Sequence, residues 1–262
     1  MPLSNCKIVL SGGSGGIGRR VSSLLLERGA SLVTISRSAD AVAGTRHFSA
    51  DLSSPSGLEA AASLVKEEEP DILINLAGVQ NFGPFEQQSC TEVGNTYTIN
   101  LIAPVLLARA ALPSMKRKQA GQIVNIGSIL GSIGFAYFST YSSSKAGLRL
   151  FSEALRRELN GTGVVVTYIA PRATRTGLIT RKLQQYADLT RMAIDDPDRV
   201  ASQIVDSIEL GKKDVYLGAA ERLFVKLNSI MPRLVDSFLA KNDRKASQLF
   251  LQKLPSSQGT KS

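Results

Sequence analysis

Ser11-Gly12-Gly13-Ser14-Gly15-Gly16-Ile17-Gly18 follows directly on a short apolar run at residues 7–10, and behind it Ile17, Val21, Leu24 and Leu25 recur at helical spacing. A strand, a glycine turn and a helix in that order make a dinucleotide site. Glycines let the backbone approach a pyrophosphate, while the unpaired N–H groups and the dipole of the helix start attract its charge. Ser11, Gly12, Ser14, Gly15, Gly16, Ile17 and Gly18 are therefore the first candidate cofactor contacts.

Outward from that turn, β-branched runs at 32–36, 46–49, 72–75, 122–126, 164–169 and 214–217 alternate with amphipathic stretches at 17–28, 56–68, 91–118, 140–159 and 198–208. The alternation predicts an α/β fold, doubly wound and Rossmann-type, with a seven-stranded parallel sheet covered by helices on both faces. A length of 262 residues, 43% of them apolar, suits one domain rather than two. Residues 1–218 are expected to bind the cofactor and carry the chemistry, 219–253 to add an amphipathic helical extension, and 254–262 to be a disordered tail.

Composition narrows the chemistry. One His and two Cys cannot assemble a His/Cys zinc site, no metal site is expected, and any Ser-His-Asp triad would have to use His47, which reads as structural or solvent-facing. Nothing frames a disulfide between Cys6 and Cys90, and Met1 to Asn5 carry no basic n-region, so a cytoplasmic location is expected. The apolar runs fall short of the length of a membrane span. There are 31 Lys+Arg against 22 Asp+Glu, a net of +9, and residues 171–262 hold sixteen of the basic and ten of the acidic residues. No basic stripe interleaved with aromatics appears, so no nucleic-acid partner is expected.

At the end of the second run, where an NAD-specific site would place Asp or Glu on the adenosine ribose, the chain has Ser36-Arg37-Ser38. A guanidinium there can pair with a 2′-phosphate, and Arg19 could assist, so NADP(H) is preferred to NAD(H).

Further motifs follow in order. Asp51-Leu52 and Asn75-Leu76-Ala77-Gly78 come after the third and fourth runs, Asn100 lies on the long helical stretch, Ser128 follows the fifth run, and thirteen residues on stands Tyr141-Ser142-Ser143-Ser144-Lys145. Together with the gapped glycine turn, these resemble the short-chain dehydrogenase/reductase family over roughly residues 5–218. Ser11 stands where the family has Thr, and Leu76 where it has Asn. The resemblance implies that Asp51 and Leu52 contact adenine and that Asn75, Ala77 and Gly78 shape the cofactor pocket. It makes Asn100, Ser128, Tyr141 and Lys145 the catalytic set, with Tyr141 and Lys145 also touching the cofactor. Ser128 would orient a substrate carbonyl, and Asn100 would hold a water that passes protons through Lys145. The resemblance also implies a homo-oligomer, a dimer or tetramer.

Tyr141 and Lys145, spaced i,i+4, share a helix face. A tyrosine near pKa 10 is a poor proton donor unless a positive charge brings it toward the working pH, and Lys145 is placed to supply that charge. After the sixth run the family has Pro-Gly and then a Thr on the nicotinamide carboxamide. Here Pro171-Arg172-Ala173-Thr174-Arg175-Thr176 makes Pro171, Arg172, Thr174 and Thr176 the candidates, with Thr176 the better fit, and Arg172 and Arg175 could reach a phosphate or an anionic substrate group.

Residues 177–196 are expected to form a lid. Leu178, Leu183 and Tyr186 in it, with Phe135 and Phe138 ahead of Tyr141, give an apolar substrate pocket. The expected activity is hydride transfer between NADP(H) and a small-molecule ketone or secondary alcohol, apolar or lipid-like, such as a 3-oxoacyl group. Two alternatives stand beside it: a non-catalytic NADP-binding regulator on the same fold, and a membrane-recruited lipid reductase. The second arises from the apolar stripe of residues 219–241, interrupted by Pro232 and edged by Arg222, Lys226, Arg233 and Lys241, which allows peripheral contact with an anionic bilayer. Packing over the substrate mouth or on a second subunit is the commoner use of such a stripe.

Overall fold

In the computed structural model, residues 2–38 and 42–251 are described. Seven parallel strands, β1 (Lys7–Ser11), β2 (Ser31–Ser36), β3 (Arg46–Ser49), β4 (Ile72–Asn75), β5 (Gly121–Ile126), β6 (Val164–Ala170) and β7 (Asp214–Tyr216), lie side by side in the order β3-β2-β1-β4-β5-β6-β7. The chain winds outward from β1 in one direction and from β4 in the other. Their carboxyl ends therefore open a crevice, which is where such sheets bind ligands.

The helices are α1 (Gly16–Glu27), α2 (Pro55–Glu68), α3 (Cys90–Tyr97), α4 (Ala103–Lys118), α5 (Ser139–Glu158), α6 (Arg181–Thr190), α7 (Pro197–Glu209), α8 (Ala219–Ile230) and α9 (Pro232–Leu251). Alternate residues along each strand feed two hydrophobic layers. Val9, Leu73, Ile123 and Val166 face Leu107, Ala111, Met115 and Leu155 on α4 and α5. Ile8, Leu10, Ile72 and Ile74 face Val21 and Leu25 of α1 and Val200 and Ile204 of α7. Both faces of β4 and β5 are buried, which explains the consecutive apolar residues at Ile72–Ile74 and at Ile123 and Val124.

Two elements depart from expectation. The long helix over 91–118 changes register through a π-turn at Thr98–Ile102, between α3 and α4. Pro104 has no N–H to give to the carbonyl four residues back, so the ladder cannot run through this point unchanged. Residues 90–118 are long and apolar enough to span a membrane, with a mean hydropathy of 1.4 in the most apolar window. Half of that window is nonetheless buried in the molecule, with Ala103, Leu107, Ala108, Ala111 and Met115 packed in the core. The extension is two helices, α8 and α9, broken at Met231-Pro232, and α9 runs on to Leu251, well past the stripe's expected end at 241. The expected tail at 254–262 lies outside the described residues.

Candidate active site

Above the carboxyl ends of β1, β4 and β5 lies a cavity of about 810 Å³. Its floor at one end is the glycine turn. Gly12, Ser14, Gly15, Gly16 and Ile17 line it, while Ser11 and Gly18 are buried just behind. Gly12 has φ +84°, and a Cβ there would lie 2.7 Å from the backbone of Ala77, so only glycine lets the turn close against the strand end. Gly15 caps α1 with no side-chain bond, and the first turn of α1 carries no acid. The N–H groups and dipole of α1 thus meet the cavity uncompensated, an arrangement that fits a pyrophosphate.

Ser36, Arg37, Ser38, Asp51 and Leu52 line the end of the cavity beyond β2 and β3, the end expected to take adenosine. The Asp51 carboxylate accepts from the Ser53 N–H at 3.0 Å and from its hydroxyl at 2.8 Å, and these bonds, with a smaller contribution from Arg37, hold it below the usual carboxylate range. Arg37 is exposed at this rim with no acid beside it in sequence. Arg19 turns its Nε to the Ser14 carbonyl at 3.1 Å, bracing the glycine turn rather than lining the cavity.

At the other end Ser128, Tyr141 and Lys145 share one wall with Ala77 and Gly78. Ser128 stands two residues past the end of β5 and caps a short 3₁₀ turn, its Oγ accepting from the Leu130 N–H at 3.2 Å. Tyr141, in the first turn of α5, lines the same wall beside it. One turn along, Lys145 is only 4% exposed and donates from Nζ to the Ile126 carbonyl at 3.0 Å. Burial pushes the Tyr141 phenol up, with the nearby Ser128 hydroxyl opposing it, and pulls the Lys145 ammonium down to about 8. Burial is thus the leading influence on both groups.

Asn100 is fully buried in the π-turn, behind the cavity. Its Oδ1 accepts from the Val79 N–H at 2.9 Å, and its Nδ2 donates to the Val79 carbonyl at 2.9 Å and to Ser144 Oγ at 3.0 Å. It ties the segment after β4 to the helix that carries Tyr141 and Lys145. With both amide hydrogens engaged, only a lone pair on Oδ1 is left for a water. Asn75 is likewise buried, donating to Asn125 Oδ1 at 2.8 Å and holding β4 to β5 from within the sheet.

Pro171, Arg172, Thr174 and Thr176 all border the cavity, but Arg172 is not available to a phosphate. Its Nε donates to Asp195 at 2.9 Å and its Nη1 to Glu221 at 2.8 Å, with a further bond from Nη2 to Asp195. These two carboxylates raise its pKa further, and the arginine staples the segment after β6 to the approach of α7 and to α8. Arg175 is exposed, its N–H bonded to the Asp195 carbonyl at 3.0 Å.

Residues 177–196 carry helix α6. Leu178 and Leu183 face the cavity with Ile179 and Met192, opposite Phe138 and Leu130. Two expected substrate contacts are elsewhere. Tyr186 is buried against Phe138 and Phe82, and Phe135 packs between two hydrophobic clusters, so both stiffen the wall from behind. Sequence reasoning missed Tyr168, which underlies Ser128, and missed the Asp195 and Glu221 partners of Arg172. No local signal announces either.

The comparisons with known proteins agree with this geometry. A family model described as short chain dehydrogenase matches residues 7–187. A ketoacyl reductase of Nostoc sp. is 31% identical over 257 residues, covering 89% of this chain and 88% of that protein. A 3-oxoacyl-(acyl-carrier-protein) reductase of Vibrio harveyi is 29% identical, covering 75% and 87%. Among solved structures, a short chain dehydrogenase from Burkholderia cenocepacia in complex with NADP superposes with a TM-score of 0.79 at 22% identity, covering 91% of this chain and 99% of that one.

Proposed function

The chain belongs to the short-chain dehydrogenase/reductase family and is thus an NAD(P)-dependent oxidoreductase, and from that premise we propose that it is an NADP(H)-dependent reductase of bulky apolar ketones. The observation that carries the reading is the Ser128–Tyr141 pair, with Lys145 one turn away, on the wall of a cavity whose other end is a phosphate-binding turn. Bound NADPH supplies the hydride. Ser128 and Tyr141 place two hydroxyls at one point of the wall, where a carbonyl oxygen can accept from both. As negative charge grows on that oxygen, Tyr141 releases its proton to it. Lys145 then stabilises the phenolate. Its ammonium titrates near pH 8, so it is mostly charged at neutral pH yet close enough to switching to hand a proton on. Asn100 acts through Val79 and Ser144 as a positioning residue.

Arg37 at the adenosine rim supports NADP(H) over NAD(H), because it offers a charge-assisted partner for a 2′-phosphate. Leu130, Phe138, Ile179, Leu183 and Met192 support an apolar substrate. The ketoacyl and 3-oxoacyl reductases among the relatives point to a 3-oxoacyl group as the first to try. The test is cofactor oxidation across ketones of graded chain length, free and carrier-linked, with NADPH and NADH in parallel. The reading expects turnover with NADPH that improves with chain length. Turnover of short polar ketones alone, or with NADH alone, contradicts it.

A further inference from the structure

The hairpin of α8 and α9 leaves an apolar ridge in solvent. Leu223 is 70% exposed, Ile230 77%, Met231 51% and Phe238 63%, with Leu234 between them at 40%. Helix α8 buries no residue fully. It is held to the body by Phe224, Val225 and Leu227, packed over Ile133 and Tyr168, and by Asn228, which donates to the Ser132 carbonyl at 3.0 Å. The ridge is what remains on the other side.

Basic residues are interleaved with it. Lys226 stands three residues after Leu223 and four before Ile230, and Lys241 stands three after Phe238, so each shares a strip with its apolar neighbours. Arg222 and Arg233 are exposed one position before Leu223 and Leu234. The three acids of residues 219–245 do not balance them. Glu221 is bonded to Arg172, and Asp243 is partly buried, with its pKa raised by that burial. Asp236, three residues after Arg233, can meet that cation, but it lies roughly 200° round the helix axis from Leu234, away from the apolar ridge. A second copy of the chain set ridge to ridge would bring these cations against one another, a costly juxtaposition. An anionic surface complements them.

We propose that the α8–α9 hairpin docks on an anionic bilayer, with Ile230, Met231, Leu234 and Phe238 entering the headgroup boundary and Lys226, Arg233 and Lys241 meeting lipid phosphates. The far end of α9 packs on the lid. Ala246 is buried with Leu183 and Tyr186, and Phe250 stacks on Tyr137 at 4.6 Å. The hairpin therefore joins the bilayer to the wall of the cavity without adding a residue to the catalytic set.

The experiment is co-sedimentation of the full chain with phosphatidylcholine vesicles, with and without a phosphatidylglycerol fraction. The variants are Ile230→Ser/Phe238→Ser and Lys226→Gln/Arg233→Gln. Their thermal unfolding checks the fold independently of catalysis. Pelleting is expected only with the anionic vesicles and is expected to fall with salt. Each basic residue removed should weaken it about fivefold, and the apolar pair should weaken it further. Equal partitioning into neutral and anionic vesicles, or no pelleting with either, overturns the proposal. If the unbound chain is also a concentration-dependent dimer that the apolar pair disperses, the ridge belongs to a second copy.

Discussion

The Tyr168 hydroxyl lies beneath Ser128, accepting from its N–H at 3.5 Å and donating to its carbonyl at 3.3 Å. Tyr168 is fully buried, and a Cβ on Gly127 would come within 2.2 Å of that hydroxyl, so a glycine before Ser128 is what lets the ring pass. One phenol on β6 thus fixes the backbone of the residue that presents its Oγ to Tyr141.

Tyr168→Phe leaves the Ser128 N–H without that partner, while the Ser128 carbonyl keeps the Gly131 N–H at 2.9 Å, at a cost of about 1–3 kcal/mol. The expected result is a kcat lowered roughly tenfold with NADPH affinity unchanged, since about 1.4 kcal/mol is a factor of ten in rate. Steady-state kinetics beside NADPH titration checks it.

Arg37→Ala removes the charge at the adenosine rim. KM for NADPH should rise about 10- to 100-fold, the worth of one charge-assisted bond of about 1.5–3 kcal/mol, while KM for NADH stays nearly constant. Parallel saturation curves decide it, and equal shifts for both cofactors would place the 2′-phosphate elsewhere.

Lys145→Met should abolish turnover and change the pH dependence of stability in a defined direction. Burial lowers the folded-state pKa of Lys145 from 10.5 to about 8, so between those values the unfolded chain binds more protons and wild-type stability gains as pH rises. Below about pH 8 the native chain carries the full cost of a buried ammonium. The variant's unfolding free energy relative to wild type should therefore be highest at neutral pH and decline as pH rises from 8 to 10.5. Denaturant titrations at pH 7 and pH 10 check the sign.

Arg172→Leu strips Asp195 and Glu221 of their shared partner. The staple between the β6 loop, the approach of α7 and α8 should loosen, so limited proteolysis within residues 177–196 is expected to accelerate. Unchanged cleavage would show that the lid is held by its apolar contacts alone.

The strands and the glycine turn were legible because short β-branched runs, buried on both faces of the sheet, and a helix starting on glycines leave local traces. Tyr141 and Lys145 were legible because four residues on one helix bring them together whatever the rest of the fold does. Arg172 was misread because its partners lie 23 and 49 residues away, on segments the local pattern does not connect. Tyr168 was invisible for the same reason, since its partner lies 40 residues back and its own strand reads as ordinary core. Phe135 and Tyr186 were apolar in the right segments, but apolar character does not say whether a ring faces the cavity or the packing behind it. Pro232 marked a break in the apolar stripe, but the sequence pattern could not say that the chain would fold back there as a hairpin, nor that the long helix over 91–118 would pass through a π-turn ahead of Pro104.

The most direct test of the central claim is the rate of NADPH oxidation by Tyr141→Phe with an apolar ketone that the wild type reduces. The variant keeps the ring and loses the proton, so it should bind NADPH as the wild type does and reduce the ketone at least about 1,000-fold more slowly, toward the upper range of a general-acid contribution. Reduction at the wild-type rate would contradict the assignment of Tyr141 as the proton donor.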